Sequence, residues 1–235
     1  MAKVRIMVVK AVVFDLDGTL ASVNIDYRAV RADVRDFLIK RGLPASVLPI
    51  NESIFEMLKK TEIFMKNNGK SEKTMTETRQ KALAIAEKYE LEAAKTTGLL
   101  PGVLETLKAL KKMDLKIGLC TINGEKSTSY ILKRFGITEF FDAVAPRDRV
   151  KYVKPNTEHL EATLEALGVN PEETMVVGDS HIDMKCAKEL TAIAVGLPTG
   201  VSSPKELISS GANYFITSIT DLPTLIEYIN KTTEP

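Results

Sequence analysis

Four short stretches of this chain hold residues whose types and spacing could do chemistry. The first is Phe14-Asp15-Leu16-Asp17-Gly18-Thr19-Leu20, where two acids follow an apolar, β-branched run. The second is Thr121, which closes the apolar run 115–121, with Asn123-Gly124 just beyond it. The third is Lys154-Pro155, downstream of Arg147, Arg149 and Lys151. The fourth is Gly178-Asp179-Ser180-His181-Ile182-Asp183, directly after Met175-Val176-Val177. Each has an ordinary reading when taken singly: a turn that uses Asp for its hydrogen bonds, a strand end, a solvated basic loop, two surface acids. Together they are complementary. Carboxylates gathered from different strands repel one another unless a cation lies among them. Hard oxygen donors without a His or Cys set favour Mg²⁺. A strand-end hydroxyl and the N–H groups of the following turn bind anionic oxygens. A lysine beside a rigid proline neutralises a carboxylate or a phosphate.

The elements that must position these groups are legible as well. The runs 10–14, 115–121, 143–145, 174–177, 192–195 and 214–217 are short and apolar on both alternating faces. That pattern predicts strands of a parallel sheet covered on both sides. Between them, residues 102–113 carry Val103, Leu104, Leu107 and Leu110 at helical spacing, and residues 156–167 carry Leu160, Leu164 and Leu167. The alternation predicts a doubly wound, Rossmann-like α/β core. In such sheets ligands bind beyond the carboxyl ends of the strands. All four stretches would then project to one edge and supply nucleophile, hydroxyl, cation and metal ligands.

Residues 22–98 break the alternation. Val30, Val34, Phe37 and Leu38 follow helical spacing up to Gly42 and Pro44. Ile54, Leu58 and Met65 predict a second helix ending near Asn67-Asn68-Gly69. A third runs over 72–95, with Met75, Ala82, Ile85, Ala86 and Tyr89 on one side. The expected division is a core of residues 1–21 and 99–235 with an inserted all-helical domain at 22–98, hinged near 21–24 and 96–101. The insert either stabilises the core or forms a lid over the site.

Composition excludes several classes. The 32 basic and 31 acidic residues give a net charge of +1, so no global field draws nucleic acid or an anionic membrane. Cys120 and Cys186 form no CxxC pair, which argues against a zinc site or a disulfide framework and for buried thiols in a reducing cytoplasm. Lys3 and Arg5 before Ile6 imitate a signal peptide, but Lys10 interrupts the apolar run and no small-residue cleavage site follows. A cytoplasmic protein without a membrane span is expected.

The four stretches, in this order, resemble the motifs of the haloacid dehalogenase-like hydrolase superfamily, and the insert resembles its helical cap. The combination of DxDGTL with GDSxxD is highly specific. The resemblance covers nearly the whole chain. The re-entry Leu99-Leu100-Pro101-Gly102-Val103 and the segment Ala145-Pro146-Arg147-Asp148 look like members of the phosphoglycolate phosphatase-like branch. The resemblance implies that Asp15 attacks phosphorus and forms an aspartyl-phosphate, and that Asp17 protonates the leaving oxygen and then activates water. Thr121 would bind the transferring phosphoryl group, and Lys154 would stabilise the charge on it and on Asp15. Asp15, the Asp17 carbonyl and Asp179 would hold Mg²⁺, with Asp183 helping directly or through water. Gly18 would let backbone N–H groups approach the phosphate. The family often carries Asn directly after the second-motif Thr. Here Ile122 intervenes, so Asn123 is a substrate-binding candidate whose role is open. His181 is expected to face solvent, and Arg147, Tyr27 and Arg28 are weak candidates for substrate contact. The substrate would be a small phosphorylated metabolite. A metal-independent haloacid dehalogenase lacks an acid at the position of Asp17. A phosphosugar mutase shares the catalytic groups and differs in cap chemistry.

Overall fold

The computed structural model describes residues 8–232, so the expectation for Lys3, Arg5 and Ile6 lies outside the described residues. These residues fall into two compact units, one up to Val23 together with everything from Thr97, the other Asn24–Thr96.

The larger unit is built on six parallel strands: β1 (Ala11–Phe14), β2 (Lys116–Thr121), β3 (Ala143–Pro146), β4 (Thr174–Gly178), β5 (Ile193–Gly196) and β6 (Tyr214–Phe215), in the order β3-β2-β1-β4-β5-β6. β1 and β4 are buried at every position. Strands apolar on both faces need covering on both faces, and helices do this here. Ile117, Leu119 and Val13 belong to this core, with Leu160, Leu164 and Leu167 of the helix Thr157–Leu167 and Met184 and Ala187 of the helix His181–Glu189. Burying each of the Val, Leu, Ile and Met side chains among these stabilises the fold by about 1.5–3 kcal/mol. The run at 214–217 yields only two strand residues. Tyr214 and Phe215 lie half-buried at the sheet edge, and Ser218 caps the turn that follows.

The strand order carries the functional consequence. After β1 the chain adds β2 and then β3 to one side, and crosses to the other side with β4. The winding direction therefore reverses at β1, and a crevice opens at its carboxyl end. The four motif-bearing strands are the adjacent ones, β3, β2, β1 and β4.

The smaller unit is built on three α-helices, α1 (Tyr27–Lys40), α2 (Ile54–Asn67) and α3 (Glu72–Thr96), with a short 3-10 turn at Ala45–Val47. The carboxylate of Asp26 accepts from the amides of Arg28 and Ala29 at 3.0 Å each and starts α1. Val30, Val34 and Leu38 then recur on one face and pack with Met57, Leu58, Ala82 and Ala86. The face of α3 differs from the expected one. Ala82 and Ala86 are buried, but Thr78, Glu90 and Ala94 complete the buried stripe, while Met75, Ile85 and Tyr89 are half-buried. The small residues lie innermost because they allow close approach of the helices. The Tyr89 hydroxyl donates to Asp33 at 2.6 Å. Among the described residues no helix is long and apolar enough to cross a membrane.

Candidate active site

Asp15 is the first residue beyond β1, and its amide continues the ladder by donating to the Val177 carbonyl at 3.0 Å. Its carboxylate is fixed by Lys154, whose Nζ lies 2.7 Å from Asp15 Oδ1. The same ammonium donates to Asp183 Oδ1 at 2.6 Å and to the Cys120 carbonyl at 2.6 Å. All three of its protons are thus placed, and the side chain is only 4% exposed. Burial opposes the lysine charge, but Asp15 and Asp183 outweigh it and hold the group well above the ordinary lysine range.

Asp179 follows β4, and Asp183 sits in the first turn of the helix His181–Glu189, where its Oδ2 accepts from the Ser180 amide at 3.2 Å. That capping box carries Asp183 back toward β1. Asp15, Asp179 and Asp183 are all buried, and each offers an oxygen within 4.8 Å of the others. Three carboxylates share this space with one ammonium, so the cluster has uncompensated negative charge. Burial, then the charges of Asp15 and Asp183, push the Asp179 carboxyl up to about 8. Burial also raises Asp183, to about 6, although Lys154 opposes it. A buried set of hard oxygens short of positive charge fits a divalent cation such as Mg²⁺.

Asp17 is partly exposed, two residues beyond Asp15. The Asn123 side-chain amide donates to its Oδ2 at 2.7 Å. This gives the displaced asparagine an intramolecular partner: Asn123 orients the second acid. Thr121 ends β2 and is buried, and its hydroxyl accepts from the Asn123 amide at 3.2 Å. The turn through Gly124 then leads into the helix Glu125–Arg134.

Gly18 is held close to Asp179. Its own amide donates to the Ala21 carbonyl at 2.6 Å and so is not presented to a ligand. Glycine is required there because φ is +81° and because a Cβ would lie 2.6 Å from Asp179 Cγ. The neighbouring Thr19 is fully buried, with its hydroxyl 3.4 Å from Asp179 Oδ1. Arg147 is not part of a solvated loop. It is 4% exposed and donates to the Ile122 carbonyl at 3.3 Å, under the second-motif turn. His181 is exposed, as expected, but it opens a helix rather than lying in a loop. Tyr27 and Arg28 belong to the helical unit.

Two features escaped the sequence reading. His159 is fully buried, with Nε2 2.9 Å from the Ala145 carbonyl, and burial, then the Lys154 charge, lowers it to about 4. No motif or spacing marks it. The second feature is the segment after β5, where the Val201 amide donates to Asp179 Oδ2 at 2.7 Å. It lies at the carboxyl end of a strand, so the rule that located the four motifs would have found it.

The haloacid dehalogenase-like hydrolase family matches residues 12–196. The chain belongs to that family. Among its relatives are pyrophosphatase PpaX of Bacillus mycoides, 29% identical over 230 residues covering 95% of this chain and 100% of the relative. PpaX of Bacillus cereus is 32% identical over 184 residues, 76% of this chain and 78% of the relative. A predicted phosphatase from Clostridium acetobutylicum has the same fold, with a TM-score of 0.65 at 21% identity over 94% of this chain and 99% of that one. This is a hydrolase, then, with phosphatases among its relatives, and its fold is the parallel α/β core that the motif order implied.

Proposed function

We propose that the chain is a Mg²⁺-dependent phosphatase that cleaves a small phosphorylated metabolite through an aspartyl-phosphate on Asp15. The observation that carries this reading is the Lys154 ammonium, bound at once to Asp15 and Asp183 beside a third buried acid. Phosphoryl transfer brings an anionic nucleophile to an anionic group and is slow without compensating charge. Lys154 supplies one positive charge at the attacking carboxylate. Asp15, the Asp17 carbonyl and Asp179 would hold the cation, with Asp183 bound to Lys154 close by. When bound, Mg²⁺ would neutralise the phosphoryl oxygens and the surplus carboxylate charge.

The residues then divide the work. Asp15 attacks phosphorus through its carboxylate, and the bond from phosphorus to the leaving oxygen breaks. Asp17, held by Asn123, gives that oxygen a proton and afterwards takes one from the water that hydrolyses the acyl-phosphate. Thr121 donates its hydroxyl to the transferring group. The helical unit Asn24–Thr96 acts as the cap that selects the substrate. Asp17 argues against carbon–halogen attack, which needs no acid there. The pyrophosphatase relatives add the phosphoanhydride of pyrophosphate to the candidate substrates alongside small phosphate esters.

A screen of phosphorylated metabolites and pyrophosphate with Mg²⁺ tests the reading. Release of inorganic phosphate that disappears with chelator and with Asp15→Asn is the expected result. Full turnover without metal, turnover of haloacids instead, or appreciable turnover by folded Asp15→Asn refutes it. Conversion of a sugar phosphate to its isomer without phosphate release would make it a mutase.

A further inference from the structure

The segment between β5 and the helix Pro204–Ser209 is fixed at both ends. The Leu197 amide donates to the Gly178 carbonyl at 2.9 Å, and Ser203 forms a capping box with Glu206. Between these anchors the chain folds onto Asp179. The Val201 amide donates to Asp179 Oδ2 at 2.7 Å and the Ser202 amide to the Asp179 carbonyl at 3.2 Å. The Thr199 hydroxyl donates to the carbonyl of Gly18, in the first motif. Gly200 is pressed against the acid itself: a Cβ there would lie 1.9 Å from Asp179 Oδ2 and 2.5 Å from its Cγ. Gly200 is not one of the glycines with positive φ, so its backbone would accept alanine. Asp179 is what excludes a side chain there. On the other side a Cβ on Gly18 would meet Asp179 Cγ at 2.6 Å and Gly200 Cα at 2.9 Å.

We propose that Thr199-Gly200-Val201 is a positioning clamp that fixes the Asp179 carboxylate as a metal ligand. Val201 takes Oδ2, and Oδ1, which the Thr19 hydroxyl meets at 3.4 Å, is the oxygen that would face the cation. Gly200 sets how close the segment approaches, and Thr199 ties it to the motif that carries Asp15. The clamp couples the fifth strand to the chemistry at the first and fourth. None of its side chains touches the reacting atoms. It acts only through Asp179, as outer partners of metal ligands do. The proposal rests on the metal reading above.

The test is a titration of the full chain with Mn²⁺, with the free ion followed by electron paramagnetic resonance. Gly200→Ala and Thr199→Val are each expected to weaken Mn²⁺ binding about 10–100-fold, and Thr199→Ser to restore it. Thermal unfolding of the metal-free protein adds a readout that a merely structural loop would not move. Gly200→Ala should lower Tm in the native background and by less than half as much in an Asp179→Ala background, where the carboxylate it strikes is gone. Equal losses in both backgrounds, or native Mn²⁺ affinity in Gly200→Ala and Thr199→Val, overturn the clamp. If Gly200→Ala does not fold, the Thr199→Val and Thr199→Ser pair decides alone. Asp15→Asn and Asp179→Asn separate the two claims. If both leave Mn²⁺ binding intact, the metal reading falls and the clamp with it. If both weaken binding while the Thr199 and Gly200 variants do not, only the clamp falls.

Discussion

Replacing Lys154 with methionine removes the charge and keeps most of the volume of the stem. The native ammonium binds Asp15 at 2.7 Å, Asp183 at 2.6 Å and the Cys120 carbonyl at 2.6 Å, with almost no exposure to solvent. Breaking a buried ion pair from one side costs about 3–5 kcal/mol, because the remaining charge is left uncompensated. At roughly 2–4 °C per kcal/mol for a chain of this size, the metal-free variant should melt about 10 °C below the native protein at pH 8. The pH dependence identifies the cause. Lys154 is held well above its ordinary value, so its charge is constant between pH 5 and pH 8. Asp183, at about 6 in the native protein, gains a proton over that interval as pH falls. In the variant the carboxylates hold protons more tightly still. At pH 8 the folded variant must either keep uncompensated charges or retain protons that the unfolded chain has released, and both oppose folding. At pH 5 that penalty is smaller, and the Tm loss should be about half as large. Calorimetry of both proteins in chelator at the two pH values measures it. A variant within 2 °C of native at pH 8, or an equal loss at both pH values, would refute the reasoning.

Other expectations follow from the same site. The metal-free native protein should lose stability as pH rises from about 4 to about 8. Asp179 and Asp183, at about 8 and about 6, then hold protons that the unfolded chain gives up near 3.8, and Mg²⁺ should reverse the loss. Chemical denaturation at pH 5 and pH 8, with and without Mg²⁺, checks the sign; greater metal-free stability at pH 8 contradicts it. Asn123→Ala removes the amide that donates to Asp17 and should lower kcat about 10–100-fold with little change in KM; steady-state kinetics at several pH values test this, and an unchanged kcat removes Asn123 from the machinery. Burial pushes the Cys120 and Cys186 thiols up to about 11 and about 12, so neither should react with a thiol reagent at pH 8 until the chain unfolds. Rapid labelling of the folded protein would show that one of them is reachable.

The sequence by itself marked the apolar runs that become strands, the helices of the insert and those near 102–113 and 156–167, and the order of the motifs. Backbone and burial rules are local: a short apolar β-branched run such as 174–177 fits a covered strand, and Val30, Val34, Phe37 and Leu38 together follow helical spacing. The motif spacing also placed Asp15, Thr121 and Asp179 at strand ends, whereas Lys154 lies eight residues beyond β3. What stands around each of them is a matter of tertiary structure. The strand order β3-β2-β1-β4 brings Lys154, 139 residues away in the chain, onto Asp15. It also turns Asn123 toward Asp17 and packs Arg147 beneath a turn, where the sequence suggested a solvated loop. Gly18 shows the difference most clearly. Its type was legible in the motif, but its packing was not, because the atom that a side chain would strike belongs to Asp179, 160 residues on from Thr19 beside it. Periodicity constrains neighbours along the chain. Contacts between strand ends depend on how the sheet winds, and that is fixed only when the whole core closes.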